Sequence, residues 1–309
     1  MTKLSIIMYH YVREIKNSKY SGIKGLEIND FRKQLEYLES KYNIISPNLL
    51  IAYILGEEKK IPNNACMLSF DDGYKDHIQF VLPELIKRKI KACFFPVVSS
   101  IKEKKVLDVN AIHYILACCK DVEKLIYDLK NELKNFKISD TEFDQLWKKN
   151  AIKSKYDTKE IIFFKRILQR DLQIDLRRKI IKKMFLKFTN MSFQDLNKEL
   201  YMTSNDLNIL FNENMNIGNH TYNHSWLSSL DKKSQEKEIN NSLSFLAKTG
   251  LDIHKWIMCY PYGSYNKNTL QILKKNKCIM GLTTKHGVVN LKKYKNLELE
   301  RIDTNEIKY

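Results

Sequence analysis

Ala65-Cys66-Met67-Leu68-Ser69-Phe70-Asp71-Asp72-Gly73 is a short apolar run that stops at two adjacent carboxylates and a glycine. A run of this length bounded by turn chemistry reads as a buried strand whose C-terminal end carries the acids. After it, residues 74–89 have helical spacing and residues 91–98 return to strand character. Before it, residues 4–9 form a second apolar run, followed by Asn29-Asp30, which reads as the cap of a helix with Phe31, Leu35, Leu38 and Tyr42 on one face. Alternation of this kind predicts a parallel sheet covered by helices, an α/β fold. The rhythm breaks over about residues 106–200, where Lys/Glu/Leu/Ile-rich segments without Gly or Pro predict several inserted helices. Strand character resumes near residues 215–218, 256–260, 278–284 and 297–302, with helical segments at 232–248 and 268–275. The expected organisation is a core over 1–105 and 201–309 interrupted by a helical insertion over 106–200.

With 309 residues, 43% of them hydrophobic, the chain can bury a large core, so disorder is not the default. Its 53 Lys+Arg against 36 Asp+Glu give a net charge of +17, which favours anionic partners: phosphorylated small molecules, acidic membranes or nucleic acid. Much of the excess is lysine scattered among Asn and Ile, and a general compositional bias explains it equally well. Residues 165–187 concentrate nine Lys/Arg with only Asp171 and Asp175 as acids, interleaved with apolar residues at helical spacing. That pattern reads as one basic amphipathic helix, able to lie on an anionic membrane or phosphate-bearing ligand, or to pack on the core with a solvated lysine face. The six cysteines include no CxxC pair and mostly sit in apolar runs, so no disulfide framework is expected. Residues 1–10 lack a small-residue cleavage site and no stretch approaches the ~20 apolar residues of a membrane span, which points to a cytoplasmic protein, with or without contact at the inner membrane face.

Two further segments carry chemistry: His220-Thr221-Tyr222-Asn223-His224 and Tyr260-Pro261-Tyr262-Gly263. Asp-Asp-Gly alone is equally good turn chemistry, and two histidines four apart are a weak signal by themselves. The combination says more. Two imidazoles and one carboxylate make a facial set for a divalent cation that leaves positions for water and substrate, with the neighbouring carboxylate free to act as base. This is the equipment of a metallohydrolase acting on an acyl bond.

At these residues the chain resembles the polysaccharide deacetylase family, the NodB-homology or carbohydrate esterase family 4 group. Ser69 to Gly73 matches its first motif, His220 to His224 its second, and Pro261-Tyr262-Gly263 its third; Met8-Tyr9-His10 and Leu299-Glu300-Arg301-Ile302-Asp303 look like the branch related to poly-N-acetylglucosamine deacetylases. The resemblance implies a distorted, incomplete (β/α) barrel with its site at the C-terminal strand ends. It implies Asp72, His220 and His224 as metal ligands, with zinc first and Co2+, Ni2+ or Mn2+ as alternatives, and Asp71 as general base. The backbone N–H of Tyr262 would stabilise the oxyanion, in a substrate-binding turn of Tyr260, Pro261, Tyr262 and Gly263. Trp226 and Leu227 would line the acetyl pocket or pack the barrel end.

The chain departs from the commoner family pattern twice. No Leu-x-x-His motif follows near the C-terminus; Ile7-Met8-Tyr9-His10 has that shape at the other end, as a permuted last strand would place it, so His10 is the general-acid candidate ahead of His286. Cys259 stands where many members place an arginine that orients the catalytic aspartate. Arg301 could take that role from the final strand, and Asp303 could orient His10. His77, His113 and His254 have no partner motif. The function implied is N-deacetylation of a 2-acetamido sugar, with a cytoplasmic nucleotide-linked or polyprenyl-phosphate-linked precursor of a surface glycan as substrate. Two alternatives stand beside it: an O-acetyl esterase or other acyl amidohydrolase on the same scaffold, and an inactive scaffold binding nucleic acid or acidic membrane. Retention of every metal ligand, and the lack of a nucleic-acid motif, weigh against the last.

Overall fold

The computed structural model describes residues 3–154 and 157–308, which form two compact units. One comprises the residues up to Glu14, Gly25–Lys105 and the chain from Glu199 onward; the other comprises Ile15–Lys24 and Val106–Lys198.

Among the described residues the first unit holds nine strands: β1 (Lys3–Tyr9), β2 (Asn43–Ile44), β3 (Ala65–Asp72), β4 (Cys93–Pro96), β5 (Asn216–Ile217), β6 (Trp256–Cys259), β7 (Cys278–His286), β8 (Val289–Asn290) and β9 (Leu299–Asp303). Seven of them run parallel in the order β5-β4-β3-β1-β9-β7-β6, while β2 pairs with β3 and the short β8 lies antiparallel to β1. Just past β5, Asn219 bridges to Met258 of β6; its N–H donates to the Ile257 carbonyl at 2.8 Å and its carbonyl accepts from Cys259 N–H at 2.9 Å. The ends of the sheet therefore nearly meet, giving the distorted (β/α) barrel. The first strand sits between β3 and β9, the order a permuted barrel produces.

Strand period explains the layering. Leu4 and Ile6, Ala65 and Met67, Cys93 and Phe95, Ile257 and Cys259, and Met280 and Leu282 join one buried cluster inside the barrel. Their neighbours Ile7, Tyr9, Leu68, Phe70 and Phe94 face outward, onto Phe31, Leu35 and Leu38 of the helix Ile28–Lys41. A Cβ at Gly218 would lie 2.2 Å from the Phe95 ring, so only glycine lets that ring fill the barrel. The Ile28–Lys41 helix begins one turn earlier than the Asn29-Asp30 reading: Glu27 precedes it without a side-chain cap, and Asp30 lies in the first turn, where its charge suits the helix dipole. The helices Pro47–Ile54 and Ser204–Asn212 and the two-residue strands β2 and β8 carry too little periodicity to be seen in advance.

The second unit is helical, with the α-helices Asp108–Cys118, Val122–Asn135, Asp140–Asn150, Lys159–Arg166 and Ile174–Thr189 and most of Phe193–Leu200. The single basic helix expected over 165–187 is two pieces, because the backbone at Leu172 turns extended (φ −85°, ψ 151°) between them. Its cations are largely paired within the unit: Lys165 with Asp157 at 2.7 Å, Arg170 with Asp171 at 2.6 Å, Arg177 with Asp108 at 2.9 Å, Lys183 with Glu132 at 3.0 Å and Lys187 with Asp128 at 2.8 Å. The segment is thus laced to its own Asp171, to Asp157 and to acids of neighbouring helices rather than forming a bare basic stripe. Among the described residues no helix is long and apolar enough to cross a membrane, and all six cysteines are free.

Candidate active site and metal centre

Strand β3 delivers both carboxylates, and alternation sends them to different surroundings. Ser69 and Asp71 share a face with Arg301 of β9. Arg301 Nη1 donates to Asp71 Oδ1 at 2.9 Å and to Ser69 Oγ at 3.2 Å, its Nη2 lies 2.8 Å from Asp71 Oδ2, and its Nε donates to the Thr283 carbonyl at 2.7 Å. The pair is desolvated, with side chains 1% and 3% exposed. His10, one residue beyond β1, brings its Nε2 to 3.8 Å from Asp71 Oδ2 and stays 41% exposed. Burial opposes the charged form of Asp71, but Arg301 and then His10 outweigh it, holding the carboxyl down at about 2.

A folded pKa of about 2 against an ordinary 3.8 makes Asp71 a source of acid sensitivity. The depressed value means the contribution is complete above pH ~4 and is lost as pH falls through about 2, an effect of about 2 kcal/mol. Urea unfolding between pH 5 and pH 2 should therefore show a shallower acid loss in Asp71→Asn than in wild type; identical pH slopes would refute the assignment.

Asp72 leaves the strand in the left-handed region (φ 71°), as does Gly73 (φ 68°), and a Cβ at Gly73 would sit 2.7 Å from Pro96 Cα. This turn aims Asp72 Oδ1 at two imidazoles, 3.3 Å from His220 Nε2 and 3.2 Å from His224 Nε2. His220 Nδ1 donates to the Cys259 carbonyl at 2.8 Å, which leaves the Nε2 lone pair facing Asp72. Oδ1 is buried and has no hydrogen-bond partner. A buried carboxylate oxygen without a donor, beside two imidazole nitrogens, fits a divalent cation, and this donor set suits zinc and its neighbours. Asp71, His220 and Cys259 also lie close together, but Arg301 already engages Asp71 and the Cys259 carbonyl already engages His220 Nδ1.

Residues 220–224 are not helical. Thr221 (φ 61°) and His224 (φ 58°) are left-handed, and the buried Asn219 braces the bend, accepting from Thr221 N–H at 2.8 Å and donating to the Ile239 carbonyl at 3.1 Å. In the third segment Tyr262 is left-handed as well (φ 57°). Its ring lies 4.6 Å from that of His224 and stacks on Trp226 at 4.3 Å and 7°. Pro261 is buried behind it, and a Cβ at Gly263 would meet Thr284 Oγ1 at 2.0 Å.

Other expected positions fall elsewhere. Tyr260 is fully buried on the outer face of β6, and its hydroxyl donates to the Leu297 carbonyl at 2.6 Å, so it packs the core instead of reaching substrate. Leu227 belongs to the same core cluster and closes the barrel end. Asp303 accepts from Asn305 N–H at 2.8 Å and from Asn305 Nδ2 at 2.7 Å; among the described residues no hydrogen bond joins it to His10. His286 is 64% exposed and paired with Glu306 at 2.9 Å. His254 is exposed, and His113 lies on a helix of the second unit. His77 matters more than the sequence indicated: it is fully buried and its Nε2 donates to the His10 carbonyl at 2.8 Å, holding the loop that carries the exposed imidazole. Ser69, Thr283 and Tyr74 were also missed. Only Ser69 had a readable signal, its place two residues before Asp71 on one strand face.

A family model described as polysaccharide deacetylase matches residues 179–280. No curated protein is matched by the sequence. Among solved structures, the Streptococcus pyogenes deacetylase PplD in complex with acetate is 17% identical, with 98% of this chain and 92% of that chain covered and a TM-score of 0.61. The de-N-acetylase from Aggregatibacter actinomycetemcomitans is 15% identical over 99% and 97% of the two chains, with a TM-score of 0.58. IcaB from Ammonifex degensii is 16% identical over 92% and 85%, with a TM-score of 0.53. At such identities these structures share the fold. The family-model match spans His220, His224 and the Pro261–Gly263 turn, and with Ser69 to Gly73 ahead of it on the same barrel, the chain is similar to the polysaccharide deacetylases in motifs and in fold.

Proposed function

We propose that the protein is a metal-dependent N-deacetylase that removes the acetyl group from a 2-acetamido sugar. One observation carries the reading: the donor-less Asp72 Oδ1 lies within 3.3 Å of both His220 Nε2 and His224 Nε2, next to an Asp71 carboxylate held charged by Arg301. Asp72, His220 and His224 would hold a divalent cation, zinc in the first instance, which would supply Lewis acidity and a more acidic water, so that a carboxylate as weakly basic as Asp71 could serve as base.

Asp71 accepts the proton of the attacking water, and Arg301 fixes the plane of its carboxylate so that Oδ2 stays turned toward His10. The Tyr262 N–H, carried on its left-handed turn, stabilises the oxyanion, a role in which one donor is worth about 3 kcal/mol. His10, accessible and close to Asp71, delivers the proton that the leaving amine requires. Tyr262 and Trp226 form an aromatic wall beside the imidazoles, suited to an acetyl methyl or a sugar face.

The test is calorimetric titration of chelator-stripped protein with zinc. Wild type should bind one tight equivalent and His220→Ala none; absence of tight binding by folded wild type would overturn the reading. In its narrower form the substrate is a phosphate-bearing cytoplasmic precursor of a surface glycan, linked to a nucleotide or a polyprenyl phosphate, supported by the net charge of +17. Acetate release should then be faster from phosphorylated acetamido sugars than from neutral ones, and equal rates would remove this narrower form.

A further inference from the structure

We propose that Tyr74 is a positioning residue for the metal centre, holding one oxygen of Asp72 so that the other alone is presented between His220 and His224. The inference rests on the metal reading above. The Tyr74 hydroxyl donates to Asp72 Oδ2 at 2.6 Å, while Oδ1, with no hydrogen-bond partner, is the oxygen 3.3 Å and 3.2 Å from the two imidazoles. The two carboxylate oxygens are thus already divided between two tasks. A carboxylate free to rotate can chelate a cation through both oxygens and so occupy a second coordination position. Engaging Oδ2 prevents that and keeps the position open for water and substrate.

The phenol cannot easily move away. Tyr74 is 1% exposed, and its ring stacks on Tyr11 at 4.2 Å and 12°, faces Tyr201 at 6.3 Å and 23°, and meets the His77 ring at 5.6 Å and 64°. Its backbone is pinned on both sides: Lys75 N–H donates to the Leu200 carbonyl at 2.8 Å, and the Gly73 carbonyl accepts from Met202 N–H at 3.0 Å. The aromatic cage fixes the ring, the ring fixes the hydroxyl, and the hydroxyl fixes the torsion of the ligand carboxylate. Hydrogen-bonded supports of this kind typically change metal affinity 10- to 100-fold when removed.

Tyr74→Phe deletes one oxygen and keeps the stacked ring. Zinc titrations of chelator-stripped wild type, Tyr74→Phe, Tyr201→Phe and His220→Ala are compared, with thermal melts of the metal-free proteins. The expected result is a 10- to 100-fold weaker zinc affinity in Tyr74→Phe, with wild-type affinity in Tyr201→Phe, which loses a hydroxyl from the same cage without touching Asp72. Cobalt loaded into Tyr74→Phe should show weaker visible absorption than in wild type, as the released carboxylate raises the coordination number; this readout holds even if the melts differ. Zinc affinity in Tyr74→Phe within twofold of wild type, or an equal loss in Tyr201→Phe, overturns the assignment to Tyr74 while leaving the metal reading intact. No zinc binding by wild type overturns both.

Discussion

Asp71→Asn should lower deacetylation about a thousandfold, within the 10²- to 10⁴-fold range of general acid–base catalysis, while zinc still titrates to one equivalent. Asparagine preserves the shape of the side chain and can accept from Arg301 Nη1, which now reaches Oδ1 at 2.9 Å, but it has no lone pair basic enough to take a proton from water. The oxygen and two nitrogens that converge for the metal belong to Asp72, His220 and His224 and are untouched. Acetate release and calorimetry on the same preparation separate the possibilities. Activity near wild type would place the base elsewhere. Loss of metal binding together with activity would mean that Asp71 is itself a ligand, which its place in the alternative cluster with His220 and Cys259 would allow.

Arg301→Met should cost about 3–5 kcal/mol of stability, the usual consequence of stripping one partner from a buried ion pair. Asp71 would be left 3% exposed inside the barrel without its counter-ion, and Ser69 Oγ and the Thr283 carbonyl would each lose a donor. The Asp71 carboxyl, held at about 2 chiefly against burial by this guanidinium, would rise, so the acid limb of any residual activity should move to higher pH. Asp71→Asn alone leaves the opposite orphan, a buried cation. Combining Asp71→Asn with Arg301→Met should therefore recover much of the stability lost in Arg301→Met, while the enzyme stays inactive. Urea unfolding of the four proteins decides the matter, and an Arg301→Met protein within about 1 kcal/mol of wild type would show that the pair is not desolvated as described.

The barrel was legible because its strands are short apolar runs that end in chemistry. Ala65 to Asp72 marks a strand and the end of it that carries the two acids, whereas the contact of Ser69 with Arg301 emerges only from the structure, although a period of two puts Ser69 on the face of Asp71. The same period governs β6: Cys259 faces inward, so Tyr260 faces out, onto Leu297, which the Pro-Gly turn that follows it conceals. Residues 220–224 could be read as ligands but not as a shape, since what brings the imidazoles together is a left-handed threonine and a left-handed histidine, conformations no propensity favours. Tyr74 and His77 were invisible for a related reason. Their partners, Asp72 Oδ2 and the His10 carbonyl, are reached only after the turn at Asp72 and Gly73 has redirected the chain. The basic segment misled because the acids that pair with it, Asp108, Asp128 and Glu132, come from other helices, which a linear window of charge does not include.

Strand β1 lies between β3 and β9, so Leu4 to Tyr9 find one neighbour in residues 65–70 but the other only in Val289, Ile302 and Asp303, all from the last strands of the barrel. During synthesis the earliest strand must wait for one of the latest before the barrel can close. Arg301 arrives in that same final strand, so until then the Asp71 carboxylate has no counter-ion in a half-built interior. A growing chain in this condition exposes an open edge on β1 and a charge it cannot bury, which makes it a natural client for chaperones. Folding should be slow relative to the size of the unit, because closure joins residues nearly the whole sequence apart.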